Sequence, residues 1–402
     1  MRCDEVKILI LTQHYPPDIG AASFRMESLA MTLLERGHKV TVLTAYPNRY
    51  KDLKHDNGVD ERPGLKIYRI KLPKQTSNFL NRSIIYLQYF LKSFLRGLRE
   101  TQKSDVILAT SPQLLVGYLG SVLSRIRKKP FVLDIRDLWP DAMLDLQVTS
   151  EKSFLFKILK RIEKKMVARA GRVVINSPAF EGHIKRIANV PISIITNGLD
   201  DSILEYFERN KVERKHKKPY KVLYTGNLGI AQDLDILTQV AKRFVGILEF
   251  ELLGSGSQKE LIANHIRERE INNILISQPM PRQEVLKKYL TADILFVHLK
   301  DIPMFKKTIP SKIFEYAASG KPVVYGLNGV AKSIMDELQG VYSFSSGDPE
   351  GLYGVLEKVI SDLDAGIKKR CDKRVLINKY LRSALNKRFS QLIEECVEYG
   401  FK

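Results

Sequence analysis

The sequence predicts an α/β protein made of two doubly wound halves, and three observations lead there. Short apolar runs recur along the chain with helical patterns between them. The alternation stops at a polar, Lys-rich stretch, "ERNKVERKHKKPY" (208–220), and then starts again. Glycines punctuate the ends of several runs, as strand-to-helix turns require.

In the first half, "KILILT" (7–12), "KVTVLTA" (39–45), "LKIYRI" (65–70), "VILAT" (106–110), "FVLDI" (131–135), "RVVIN" (172–176) and "ISIITN" (192–197) read as strands. Helical stretches lie between most of them, such as "AASFRMESLAMTLLERGHK" (21–39), which Gly37 closes before the second strand. The second series is "KVLYTG" (221–226), "LEFELLG" (248–254), "NILISQ" (273–278), "DILFVHL" (293–299), "PVVYGL" (322–327) and "GVYSF" (340–344). Such alternation means a parallel sheet with helices on both faces. The expected organisation is a Rossmann-like domain at 1–200, a linker at 201–219, a second Rossmann-like domain at 220–382, and a helical tail, about 383–402, that packs back on the first. Ligands of such sheets bind beyond the carboxyl ends of the strands, so two domains facing each other would form a deep cleft.

The totals narrow the function. With 44% hydrophobic and 27% charged residues over 402 positions, wholesale disorder is excluded. Cys3, Cys371 and Cys396 have no metal-ligand or redox spacing and read as reduced thiols of a cytoplasmic protein. No secretory signal is read ahead of the first strand, and no apolar run approaches bilayer-spanning length. The net charge of +20 calls for an anionic partner. Basic residues interleave with apolar ones at 82–100, 124–129 and 152–169, the composition of helices on a membrane surface and equally of core-facing helices with a basic solvent side. Neither zinc-finger spacing nor an aromatic-rich RNA-binding signature is present, so nucleic acid is not the expected partner.

The chemistry-bearing segments fall at strand ends. In "IPSKIFEYAASGKPVV" (309–324), Pro310 suits a first helical position and Gly320 the stop. Ser311 and Glu315 share a face, and the helix-start amides lie about 6 Å below the carboxylate, roughly the reach from a diphosphate to a ribose. Those amides attract phosphate, and the carboxylate can accept from two ribose hydroxyls. "YTGNLG" (224–229) follows a strand, with Gly226 and Gly229 letting backbone approach a ligand and Asn227 tolerating unusual dihedrals, and in "GSGSQKEL" (254–261) Gly254 begins a Gly-x-Gly that opens a helix after another strand. "HYPPDIGAASFR" (14–25) places Gly20 and Ser23 near a helix start, and "DIRDLWPDA" (134–142) follows the fifth strand. "DLD" (233–235) imitates a metal-binding pair, but inside the expected helix its carboxylates would point about 200° apart.

As an ordered set these segments resemble the family 4 retaining glycosyltransferases of the GT-B fold, in particular the bacterial O-antigen and capsule branch that includes fucosamine transferases. The segments that match are "QHYPPDIGAASFRMESLAMTLLERGHKVTVLTAYPN", "DIRDLWPDA", "ITNGLD", "YTGNLGIAQDLDIL", "LGSGSQKEL" and "FKKTIPSKIFEYAASGKPVV". The resemblance implies that Glu315 binds the ribose of a nucleotide sugar while Ser311 and Lys312 sit by the diphosphate. Gly226 and Asn227 would lie beside the donor, Gly20 would approach it from the first domain, and the segment Met280, Pro281, Arg282 would hold the base. Two departures stand out. Lys307 occupies the position, eight before Glu315, where many members carry a second glutamate. The usual Arg and Lys after the glycine loop are missing from "GNLGIAQDLD", leaving Arg282, Lys306, Lys307 and Lys312 as candidate diphosphate clamps.

The resulting expectation is transfer of a sugar, in line with the resemblance an N-acetylated deoxyhexosamine, from a UDP-linked donor. The acceptor would be a polyprenyl diphosphate-linked glycan at the inner face of the cytoplasmic membrane, where basic segments meet anionic headgroups. No metal or other cofactor is expected, since fixed amides and cations can stabilise the leaving diphosphate. Asp134, Asp137 and His14 are the candidates for acceptor activation, Asp134 being equally readable as a buried hydrogen-bonding group, with Ser23, Arg25 and Arg136 beside them on the acceptor side. A UDP-sugar 2-epimerase of the same fold and a non-catalytic membrane-surface or nucleic-acid-binding protein are the competing readings. A nicotinamide oxidoreductase lacks support, because no full Gly-x-Gly-x-x-Gly follows the first strand.

Overall fold

The computed structural model describes residues 5–18, 20–47, 59–73, 79–111, 113–145, 148–210, 217–367 and 369–400. The chain divides into two compact units, Met1–Asn197 with Arg382–Lys402, and Gly198–Leu381.

The first unit runs β1 (Lys7–Leu11), α1 (Ala21–Glu35), β2 (Lys39–Ala45), β3 (Val59–Arg62), β4 (Leu65–Ile70), α2 (Phe79–Gln102), β5 (Val106–Thr110), α3 (Leu114–Arg127), β6 (Phe131–Ile135), α4 (Asp141–Asp145), α5 (Phe154–Arg169), β7 (Arg172–Ile175), α6 (Glu181–Ile187) and β8 (Ile192–Ile194). These strands form one sheet in the order β3-β4-β2-β1-β5-β6-β7-β8, parallel except for the β3–β4 pair. The sequence reading missed β3, because "VDER" lacks an apolar run; its charges suit an exposed edge strand. The central strands are apolar on both faces because helices cover both.

The second unit comprises α7 (Asp201–Arg209), β9 (Tyr220–Asn227), α8 (Ile236–Val240), β10 (Leu248–Ser255), α9 (Lys259–Glu268), β11 (Ile274–Ser277), α10 (Arg282–Thr291), β12 (Ile294–His298), α11 (Pro303–Lys306), α12 (Lys312–Ser319), β13 (Val323–Gly326), α13 (Val330–Leu338), β14 (Val341–Ser343), α14 (Pro349–Asp364) and α15 (Lys373–Val375). Its parallel sheet has the order β11-β10-β9-β12-β13-β14. The last helix, α16 (Arg382–Glu398), returns to the first unit. Its Phe389, Leu392 and Ile393 pack with Met26, Leu29 and Leu33 of α1. Glu394 accepts from Arg36 Nε and Nη2 at 2.7 and 2.8 Å and bonds His38 Nε2 at 2.8 Å, fixing α16 to the end of α1.

Three local expectations change. The stretch expected as a linker begins with α7, capped by the Asp200 side chain, and its buried Ile203, Leu204 and Phe207 belong to the second unit's core. The remainder, 211–216, lies outside the described residues. The helix expected from Pro310 starts at Lys312 with Ser311 as its N-cap, because the chain first makes tighter bonds from Ile313 N to Pro310 O and from Phe314 N to Ser311 O. The Asp233–Asp235 pair sits ahead of α8, not within it. Asp233 takes a left-handed φ of 47°, and Asp235 accepts from Thr238 Oγ1 and bonds His265 Nδ1 at 2.8 and 2.7 Å.

Candidate functional site

In the second unit, the glycine-bearing end of β9 and the start of α12 come together. Gly226 and Gly254 pair across β9 and β10 at φ of 124° and 156°. A Cβ on Gly254 would lie 1.8 Å from the Gly226 carbonyl oxygen, so only glycine fits this approach. A Cβ on Gly226 would meet Lys312 Nζ at 2.4 Å, which puts the ammonium directly against the strand end. Lys312 Nζ also lies 5.7 Å from the Tyr224 ring centroid. Burial lowers the Lys312 pKa from its ordinary value, against the opposing pull of Glu315.

Glu315, one helical turn on, is half-buried and held from two sides. Arg282 Nη2 donates to Oε1 at 3.1 Å and Tyr289 hydroxyl to Oε2 at 3.3 Å. Tyr289 in turn bonds Thr225 Oγ1 at 2.8 Å, while Tyr316 hydroxyl accepts from Thr225 N at 3.1 Å. These bonds orient a carboxylate next to the end of β9. Asn227 donates to Gln232 Oε1 at 3.0 Å, and Gly229 N donates to the same oxygen, which stiffens the loop. Arg282, Gly226, Asn227, Gly254, Lys312 and Glu315 thus share one neighbourhood, with Ser311 half-buried at the α12 N-cap and making no side-chain cap hydrogen bond. Lys306 is exposed and paired with Asp301 at 3.1 Å, and Lys307 is half-buried after α11. Sequence reasoning missed Thr225, Tyr289 and Tyr316. Thr225 lay inside a quoted motif, but nothing local connects a tyrosine of α10 to it.

In the first unit the candidates lie after β1 and β6. His14 is buried, with Nδ1 2.5 Å from Asp18 Oδ2 and Nε2 2.9 Å from the Gln113 amide nitrogen. Asp18 and the Gln113 side-chain amide each take one ring nitrogen. Both ring nitrogens are therefore committed. Arg25 is buried in an ion pair with Asp134 at 3.0 Å and donates to the carbonyls of Ile195 and Thr196 at 3.0 and 2.8 Å. Thr110 Oγ1 adds a 2.7 Å bond to Asp134. Arg25 thereby ties α1 to β6 and to the chain after β8, and its donors are spent within the fold.

Ser23 is fully buried near the start of α1, and Gly20 is that helix's N-cap, at φ 153°. Asp137 is half-buried just past β6; burial pushes its carboxyl up to about 6, against the pull of Arg136. A carboxyl titrating there can take or give a proton near neutrality. Arg136 is buried, its backbone N donating to Ser111 Oγ at 3.0 Å.

Comparison with known proteins agrees with both units. Residues 20–198 match the family model described as a glycosyl transferase 4-like domain, and residues 206–375 match glycosyl transferases group 1. WbjE of Pseudomonas aeruginosa, named as a glycosyltransferase, is 24% identical over 324 residues, 77% of this chain and 80% of that protein. WcaI of Escherichia coli K12, named as a glycosyl transferase of colanic acid biosynthesis, is 21% identical over 78% of this chain and 82% of its own length. Among solved structures, sucrose-phosphate synthase of Thermosynechococcus elongatus superposes with a TM-score of 0.76 at 15% identity, covering 98% of this chain and 100% of that one. HepE of Anabaena, in complex with UDP and glucose, superposes at 0.69 and 16%, covering 96% and 99%. The chain thus carries a glycosyl transferase 4-like domain followed by a glycosyl transferases group 1 domain, in a GT-B fold.

Proposed function

We propose that the protein transfers a sugar, with retention of configuration and without a divalent metal, from a UDP-linked donor to a polyprenyl diphosphate-linked glycan. The sugar is an N-acetylated deoxyhexosamine of the fucosamine type, and the product enters O-antigen or capsule synthesis. The observation that carries this reading is the Glu315 carboxylate, oriented by Arg282 and Tyr289 beside Gly226 and Lys312. That arrangement offers an acceptor pair for ribose hydroxyls one turn from amides and an ammonium suited to a diphosphate. The UDP seen with HepE and the polysaccharide role named for WcaI support the donor and the pathway class.

In the reaction, the bond from the anomeric carbon to the diphosphate oxygen breaks and a bond to the acceptor oxygen forms on the same face. Lys312 and Arg282 offset the charge that develops on the departing UDP. The acceptor proton passes to Asp137 or to the leaving diphosphate.

Membrane contact at the inner face of the cytoplasmic membrane is part of the same reading. Ile84, Leu87, Leu91 and Leu95 form an exposed stripe along α2, with Lys92 and Arg99 exposed on the same helix. An apolar stripe bordered by cations suits an anionic lipid surface. No helix among the described residues is long and apolar enough to cross a membrane.

The test is incubation with a panel of UDP-sugars and vesicle-borne polyprenyl diphosphate glycans, read by mass spectrometry. The expected result is a one-sugar mass gain on the lipid with stoichiometric UDP. Conversion of the UDP-sugar with no acceptor present would instead make the protein an epimerase.

A further inference from the structure

The carboxyl edge of the first sheet collects buried polar atoms for which the described residues supply no hydrogen-bond partner. They include both amide atoms of Gln13 after β1, Ser23 Oγ in α1, Asn176 Oδ1 and Ser177 Oγ after β7, and Thr196 Oγ1 after β8. Because β1, β5, β6, β7 and β8 run parallel, all of these lie at one end of the sheet. The atoms that matter most are Nε and Nη1 of Arg136, since they belong to a charge.

Arg136 is only 8% exposed, yet those two nitrogens bond neither Asp137 nor any other described residue. A buried neutral group lacking a partner is destabilising, and a water molecule relieves it. A buried guanidinium needs more than water, because a single unpaired ion is far costlier to desolvate. Its protein surroundings supply too little counter-charge: among the described residues Arg25, Arg136 and Arg382 face only two carboxylates, Asp134 and Asp137. The nearest carboxylate inward, Asp134, is already spent on Arg25 at 3.0 Å and Thr110 at 2.7 Å. Asp137 makes no hydrogen bond to Nε or Nη1 of Arg136, and burial raises its carboxyl against the pull of that guanidinium. Burial, then Arg25 and Arg382, lower the proton affinity of Arg136, against the pull of Asp134 and Asp137. Arg382 itself is anchored, its Nε donating to Asn197 O at 3.2 Å. The edge therefore holds a cation in excess, fixed and dehydrated, among neutral donors and acceptors.

We propose that Arg136 is the centre of an oxyanion subsite in the first unit that takes a phosphoryl group. Resting on the transferase reading, the group has two sources, the diphosphate of the lipid-linked acceptor or that of the nucleotide donor. Ser177 and Ser23 hydroxyls are neutral donors available at the same edge. With the anion bound, the guanidinium gains its counter-charge and Asp137 stays next to the acceptor end of the substrate.

The experiment is calorimetric titration of the full chain with inorganic diphosphate, geranyl diphosphate and UDP, for the wild type, Arg136→Gln and Arg136→Lys. Thermal melting of each variant without ligand confirms folding, and removal of an uncompensated buried charge should not lower it. If the acceptor's diphosphate is the source, Arg136→Gln weakens geranyl diphosphate and inorganic diphosphate at least tenfold and leaves UDP within twofold, with partial recovery in Arg136→Lys. If the donor's diphosphate is the source, UDP weakens as well. Unchanged affinity for all three ligands, or no binding of either diphosphate to the wild type, overturns the subsite. Failure of the transferase reading looks different: UDP binds to no variant, while inorganic diphosphate still reports on Arg136.

Discussion

Both units place polar residues past the carboxyl ends of parallel strands, but they treat them in opposite ways. In the second unit Glu315 and Lys312 are half-buried, Glu315 steadied by an exposed Arg282 and a buried Tyr289, and Lys312 resting against Gly226 at the end of β9. In the first unit the groups are driven deeper. Arg25 is welded to Asp134, His14 has both ring nitrogens occupied, and Arg136 is left buried with Nε and Nη1 unpartnered among the described residues. The difference is that one edge keeps its charges paired and within reach of water, while the other buries a cation with unpartnered nitrogens beside a raised carboxyl.

That contrast breaks most easily at Asp137. Its replacement by Asn is expected to lower kcat by about 10²- to 10⁴-fold, the range for loss of a general base. Wild-type kcat/KM should rise with pH through about 6, because the raised carboxyl must lose its proton to act as a base. A pH profile that keeps this limb in the Asn variant would assign the proton to another group, the departing diphosphate included. Next in size is Glu315→Gln, which removes charge-assisted acceptance and should lower kcat/KM by roughly 10- to 100-fold. If UDP affinity were unaffected there, the ribose role would fail.

Smaller effects sharpen the comparison. Leu91→Glu with Leu95→Glu should reduce vesicle binding by about tenfold or more, since each leucine side chain gains roughly 1.5–3 kcal/mol on burial. Melting in buffer should hardly change, because both positions are exposed. The smallest effect concerns stability alone. Burial works against the Glu394 charge, yet Arg36 and His38 hold its carboxyl below the ordinary value. A depressed carboxyl stabilises the fold above the unfolded pKa, and that contribution disappears as pH falls through the folded one. Arg36→Met should therefore cost about 1 kcal/mol at neutral pH, and the difference from wild type should shrink toward pH 3, as denaturant titrations would reveal.

The strands were legible because apolar runs bounded by turn residues are local signals, and the Glu315 helix was legible because Gly320 and the strand after it frame the segment. Helix α7 was hidden behind a charged surface pattern, although its Ile203, Leu204 and Phe207 face inward. The first-unit site was the least legible. Arg25, Arg136 and Asp137 look alike as charged residues near strand ends, and only tertiary packing separates a spent ion pair from an uncompensated cation and a protonatable acid. The Tyr289–Thr225 bond spans 64 positions, so no local pattern could announce it.

The most direct measurement is a thermal-shift titration with UDP, GDP, ADP and NADH on the wild type and Glu315→Ala. At a hundred times its dissociation constant, a ligand should stabilise the fold by about 2.7 kcal/mol. The account predicts a UDP-selective shift in the wild type that disappears in the variant. A wild type that responds to none of the four nucleotides, or a UDP shift of equal size in Glu315→Ala, would contradict it.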